Sequence, residues 1–168
     1  MRTLYGELQS FGVPLVCAGG IGDANGLRQA LDMGYSACQL GTRFIASEEC
    51  QASKAYKRAI LHAKESDIVL SARITGVPVA IINTNYIKRS GLQPGWLARW
   101  MLSGSKTKHW MRTIYALKSI WQLKKSSRDE TGECDYWQAG KSVAAIDSIE
   151  SCVTIIGNLM QHFETETK

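Results

Sequence analysis

The stretch Val13-Pro14-Leu15-Val16-Cys17-Ala18-Gly19-Gly20-Ile21-Gly22-Asp23 decides how this chain folds. A short apolar run, Val13 to Cys17, ends in a glycine turn, and Asp23 stands where the next helix needs a cap. The same grammar returns at Ser36 to Leu40, which ends in Gln39-Leu40-Gly41-Thr42-Arg43. Gly19 and Gly41 lie 22 positions apart, and the residues between them carry a helical pattern. Parallel strands need a crossover of about a dozen residues or more, so this spacing predicts one compact αβ unit. Two strand-to-helix turns then open on the same side of a parallel sheet. Backbone N–H groups exposed there grip phosphate, which points to a phosphate-bearing cofactor.

Working outward, Leu4, Leu8 and Phe11 recur at helical spacing, and Gly12-Val13-Pro14 ends that helix. Asp23 is expected to cap a helix from Ala24 to Met33 with Leu27, Ala30 and Leu31 inward, and Gly34 to stop it. After Thr42 the pattern is helical again. Ser47 is the expected cap, with Glu48 and Glu49 in the first turn and Ala52, Ala55, Tyr56, Ala59, Ile60 and Ala63 inward. Asp67 to Ile74 and Val77 to Ile82 read as extended segments around Thr75-Gly76. Ser90 to Gly95 reads as a loop, followed by a helical region with Trp110, Ile114, Leu117 and Trp121 on one stripe. Ser126 to Asp135 reads as a polar linker, and two helices, Val143 to Ile149 and Cys152 to Phe163, close the sequence.

The chain has 168 residues, whereas an eight-fold βα barrel takes about 250. No apolar run approaches the roughly 20 residues of a membrane span, and the start lacks the apolar centre of a secretory signal. Five cysteines without a CxxC pair or metal-ligand spacing predict a reducing, cytoplasmic setting and no metal site. Cys17 and Cys38 fall in strand positions, where a thiol acts as a small apolar group. The net charge of +5 is uneven, because no acidic residue occurs between Asp67 and Asp129. Three readings of that basic, Trp-rich stretch stay open: a helical cap packed by its tryptophans, a helix on an anionic lipid surface, or a nucleic-acid contact without a recognition motif. Gly140-Lys141-Ser142 is not the end of a P-loop, because Asp135 stands where that motif needs glycine.

Four segments, in order, resemble the nitronate monooxygenases, formerly called 2-nitropropane dioxygenases. Pro14 to Asp23 resembles their seventh strand and phosphate turn, and Ala37 to Phe44 their eighth strand and second turn. Ser71 to Ala80 resembles the segment after the barrel. Tyr136-Trp137-Gln138-Ala139-Gly140-Lys141-Ser142 resembles their C-terminal Ala-Gly-Gln element, with Lys141 where glutamine is usual. The resemblance implies an α/β fold, the last two βα units of a TIM-type barrel followed by a mostly helical C-terminal extension. Residues 1–66 would form the barrel units and residues 67–168 the extension.

It also implies FMN as cofactor and oxidation of alkyl nitronates with O2. Ala18, Gly19 and Gly20 would approach the FMN phosphate from one turn, and Gly41 and Thr42 from the other, with Gln39 on the strand leading in. No position matches the glycine-rich histidine motif of the family's sixth strand, so no catalytic residue is assigned; His62, His109 and His162 sit in other contexts. The chemistry would come mainly from strands that precede this stretch in the family. Two strands cannot close a barrel, so the chain is expected to be poorly soluble, or to rely on a companion chain that supplies the remaining strands. A flavin-dependent enoyl reductase, which shares the phosphate turns, and a non-catalytic remnant or interaction module are the alternatives.

Overall fold

The computed structural model describes residues 2–72, 78–92 and 137–164. The chain forms two compact units, one built from residues 1–50 and 140–168 and the other from residues 51–139.

In the first unit, α1 (Arg2–Leu8) runs into a 3₁₀ turn, Gln9–Phe11. Gly12, at φ 64°, turns the chain out of it, as the sequence predicts. β1 (Val16–Ala18) and β2 (Ala37–Gln39) pair in parallel, with Val16 beside Ala37, Cys17 beside Cys38 and Ala18 beside Gln39. Both strands are three residues long, shorter than the apolar runs suggest. β1 starts three positions after Val13, because Val13 and Pro14 lead in exposed and proline has no N–H for a ladder.

Between the strands lies α2 (Ala24–Asp32). The Asp23 carboxylate caps it by accepting from the Gly26 N–H at 2.8 Å. Gly34, at φ 101°, makes the left-handed exit that a side chain would resist. The core of this unit joins Cys17, Ile21, Ala30 and Tyr35, with Leu15, Leu27 and Leu40 packed around them. Tyr5 meets Tyr35 edge-on, with ring centroids 4.9 Å apart. Burying a side chain the size of Ile21 stabilises by about 1.5–3 kcal/mol.

One face of this small sheet is therefore covered and the other is not. Val16 is 56% exposed, and Ala18, Ala37 and Gln39 are exposed as well. Parallel sheets ordinarily have both faces covered.

α3 (Thr42–Ile45) is a single turn, and no continuous helix follows it. Here the structure corrects the expected Ser47 cap. Ser47 Oγ donates to the Phe44 carbonyl and accepts from the Cys50 N–H, and Ser47 bridges to Glu150. Glu49 accepts from the Cys152 N–H at 2.9 Å, at the start of α6 (Cys152–Glu164). Glu49 thus contributes to a helix start, but that of a helix about 100 residues later in the chain. The expected helix from Val143 to Ile149 is instead a 3₁₀ turn, Lys141–Ala145, followed by extended backbone at Ile146. α6 buries Ile155 and Leu159 and leaves Val153, Ile156 and Met160 exposed on another stripe.

In the second unit, α4 (Lys54–His62) is capped by Ser53, whose Oγ accepts from the Tyr56 N–H at 3.2 Å. Tyr56, Ile60 and Ala63 are buried as expected. Tyr56 stacks on Trp137 at 6.1 Å, and its hydroxyl donates to the Gln138 carbonyl. β3 (Ile68–Ser71) and β4 (Val79–Ile82) pair antiparallel, from Ile68 beside Ile82 to Ser71 beside Val79. Gln138 adds a bridge to Ile81. α5 (Asn85–Ser90) follows, with Thr84 as its cap and Gly91 after it. Ile81 and Ile87 form the centre, with Val69 and Val79 against them. The Thr75-Gly76 link, the Trp-rich stripe and the polar linker lie outside the described residues.

Candidate functional site

The in-register pairing of β1 with β2 sets the geometry of the first candidate site. Because Ala18 lies beside Gln39, the two strands end level, and the turns that follow leave from the same sheet edge. All six residues singled out in the sequence gather there: Ala18, Gly19, Gly20, Gln39, Gly41 and Thr42. Gly19 and Gly20 adopt φ 86° and 78°, a conformation that a side chain rarely takes.

The free donors are specific. The Gly19 N–H is committed to the Gln39 carbonyl at 3.3 Å, which ties the first turn to the second strand. The N–H groups of Gly20, Thr42 and Arg43 have no acceptor among the described residues. Thr42 is buried, and its Oγ1 accepts from the Gly140 N–H at 3.0 Å. Its hydroxyl proton is left to donate elsewhere. The α2 N-terminus is different: the Asp23 carboxylate already fills it, so the first turn offers loop amides rather than a helix dipole.

Three contacts that sequence reading alone does not reveal hold the 140–150 segment against these turns. One is the bond from Gly140 to Thr42. The second is the close approach of Gly22 to the Ser142 carbonyl, where an added Cβ would lie 2.6 Å from that oxygen. The third is Arg43. Its Nη1 donates to the Ser148 carbonyl and its Nη2 to Glu150 Oε2, both at 2.7 Å. The Arg43 side chain is 7% exposed, so this ion pair is largely shielded from water. The only sequence signal was the family-like Ala139-Gly140 element, which marked the segment without saying what it touches. A neighbouring cavity of about 410 Å³ is lined by Asp23, Asp147 and Glu150, with Arg43 as its single cation. Its acidic wall suits no phosphate.

Below the turns, Cys17 and Cys38 sit side by side. Burial, then the neighbouring Cys17, pushes the Cys38 thiol up from its ordinary value, so it is a poor nucleophile at neutral pH. His62 is exposed on α4, and His109 lies outside the described residues. No cluster of metal-ligating side chains occurs among the described residues.

In the second unit a cavity of about 750 Å³ lies between α4, β4 and α5, with Trp137 in its wall. No helix among the described residues is long and apolar enough to cross a membrane.

The nitronate monooxygenase family profile matches residues 5–162, nearly the whole chain. A protein of Staphylococcus saprophyticus named "probable nitronate monooxygenase" is 42% identical over 77 residues, which covers 46% of this chain and 22% of that protein. Among solved structures, nitroalkane oxidase from Streptomyces ansochromogenes superposes with a TM-score of 0.67 at 22% identity, covering 99% of this chain and 45% of that one. FabK from Thermotoga maritima gives 0.66 at 24% identity, covering 92% and 45%. These two likenesses are of fold. The chain spans less than half the length of each of these proteins.

Proposed function

Because the chain belongs to the nitronate monooxygenase family, we propose that it is the C-terminal part of an FMN-dependent oxidoreductase that oxidises alkyl nitronates with O2. The observation that carries this reading is the level ending of β1 and β2, which brings to one edge two glycine turns whose amides are unpaired among the described residues. The Gly20, Thr42 and Arg43 N–H groups hold the phosphate oxygens, and the Thr42 hydroxyl proton adds a further donor. The exposed Gln39 side chain, at the end of β2, lies within the same group. Gly19 acts indirectly, fixing the spacing of the turns through its bond to Gln39. Gly140 orients the Thr42 hydroxyl by occupying one of its lone pairs.

Bound flavin supplies the two-electron acceptor for the nitronate and the route of those electrons to oxygen. The residues of this chain bind and orient, and none of them is assigned a proton-transfer step. The open sheet face at Val16 and Ala37, and the exposed stripe Val153, Ile156 and Met160, are the surfaces against which the remaining βα units pack. Those units come from a companion chain or from a preceding segment of the same protein.

Thermal unfolding with added FMN tests the reading, for the 168-residue chain alone and mixed with the N-terminal half of the S. saprophyticus relative. A ligand at a hundred times its Kd stabilises by about 2.7 kcal/mol, so a saturable rise in Tm is expected in the mixture. Thr42→Ala should reduce that rise. A colourless mixture whose melting is unchanged by FMN would refute the proposal and favour a non-catalytic remnant.

A further inference from the structure

The cavity of the second unit takes no part in the flavin reading and carries its own chemistry. Its apolar floor is Ile82, Ala59 and Ala63, and at about 750 Å³ it falls within the usual range for small-molecule sites, roughly 300–1,000 Å³. The wall and rim carry His62, Asn83, Asn85, Lys88, Arg89 and Trp137. None of these side chains makes a hydrogen bond or ion pair among the described residues. Trp137 is the telling member. It is 8% exposed, and its indole N–H is buried with no acceptor among the described residues. Burying a donor without a partner is unfavourable, and a bound acceptor would offset that.

The charge is one-sided. Lys88 and Arg89 follow each other in α5 and have no carboxylate partner among the described residues, whereas Asp67, the acidic group on the lining, already accepts from the Lys64 N–H at 2.9 Å. A concave surface with an aromatic wall, an apolar floor and two cations on its rim is matched to an anion on an apolar or aromatic body. We propose that this cavity binds a phosphorylated small molecule of nucleotide type. Its phosphates are held by Lys88 and Arg89 at the rim, and its body rests on the floor between α4 and β4. Asn83 and Asn85 supply amide donors and acceptors to the body's polar edge.

ADP and inorganic phosphate are the probes, titrated calorimetrically into the 168-residue chain at low and moderate salt. ADP is expected to bind, with an affinity that falls as salt rises, and phosphate alone to bind at least tenfold more weakly because it leaves the floor empty. The double variant Lys88→Ala, Arg89→Ala should lose at least tenfold in ADP affinity while its circular dichroism stays unchanged, since both side chains are exposed. Trp137→Phe keeps the ring and removes the N–H, and a loss of a few-fold is expected. Thr42→Ala should leave ADP binding intact, which separates this site from the glycine turns. Absence of ADP binding in the folded chain, binding unaltered in the double variant, or equal loss in Thr42→Ala would overturn the proposal. FMN stabilisation could disappear while ADP binding persisted, and then only the flavin assignment would fall.

Discussion

Replacing Arg43 by methionine tests whether the tie between the second glycine turn and the 148–150 segment holds the first unit together. Arg43 makes two charge-assisted bonds of 2.7 Å, to the Ser148 carbonyl and to Glu150. Hydrogen bonds to charged groups contribute about 1.5–3 kcal/mol, and removing one partner of a fully buried pair costs about 3–5 kcal/mol. The Glu150 side chain, however, is 27% exposed, and it also accepts from Ser148 Oγ at 2.9 Å. Water and that second donor soften the loss. The expected cost is therefore about 2–3 kcal/mol, in the upper part of the first range and short of the second. For a chain of this size that lowers Tm by roughly 4–12 °C. Urea unfolding followed by circular dichroism reads the change. Arg43→Lys keeps the charge but not the fork, and should fall between parent and methionine variant. A cycle with Glu150→Gln should return a coupling of about 1–2 kcal/mol. If Arg43→Met stays within about 0.5 kcal/mol of the parent, or the cycle shows no coupling, the pair does not brace the turn and the reasoning fails.

Other outcomes are expected. Gly22→Ala should destabilise by about 1–3 kcal/mol through overpacking, because its methyl would meet the Ser142 carbonyl at 2.6 Å and Ala145 Cβ at 3.0 Å; a calorimetric Tm equal to the parent's would contradict that approach. Gly19→Ala meets no neighbour within 4 Å, so its penalty of about 1–2 kcal/mol should come from the left-handed backbone alone, and Gly19→Asn should recover part of it. Ser53→Ala should cost about 0.5–2 kcal/mol by uncapping α4, read as lost helical signal together with a lower urea midpoint. Cys38 should react slowly with iodoacetamide at neutral pH and speed up only above the ordinary thiol range. Because the folded state holds that proton more tightly than the unfolded one, Cys38 also contributes stability that fades as pH rises through its raised pKa. Fast alkylation at pH 7 in the folded chain would contradict the burial argument.

Local chemistry made much of the first unit legible in the sequence. Asp23 caps α2, and Gly12 and Gly34 stop their helices, because these roles depend on residues within a few positions. The two strands were legible as apolar runs, but their lengths were not, since pairing partners set the ends of a ladder. Ser47 shows where reading stops. With Glu48 and Glu49 after it, it has the composition of a helix cap, yet the Glu48 N–H donates to the Glu150 carbonyl and the segment is drawn into a bridge. That partner is about a hundred residues away, and no local pattern announces it. Ser53, in a less acidic context, wins the cap because Tyr56, Ile60 and Ala63 need to face inward from there. The gathering of the glycine turns followed from their repeat spacing, whereas the Gly140 donor to Thr42 and the Arg43 clasp followed from tertiary contact alone. The cavity by Trp137 was invisible for the same reason: its lining comes from four separate stretches of chain.

The order of the two units along the chain has a practical consequence. The first unit is left at Cys50 and rejoined at Gly140, so residues 51–139 are a guest spliced into a host that continues on either side. Glu49 at the departure and Cys152 after the return are clasped by a host-only bond. Exchanging the guest for a short glycine–serine bridge would then leave the host's own fastenings in place, and the glycine turns could be studied with the Trp137 cavity excised.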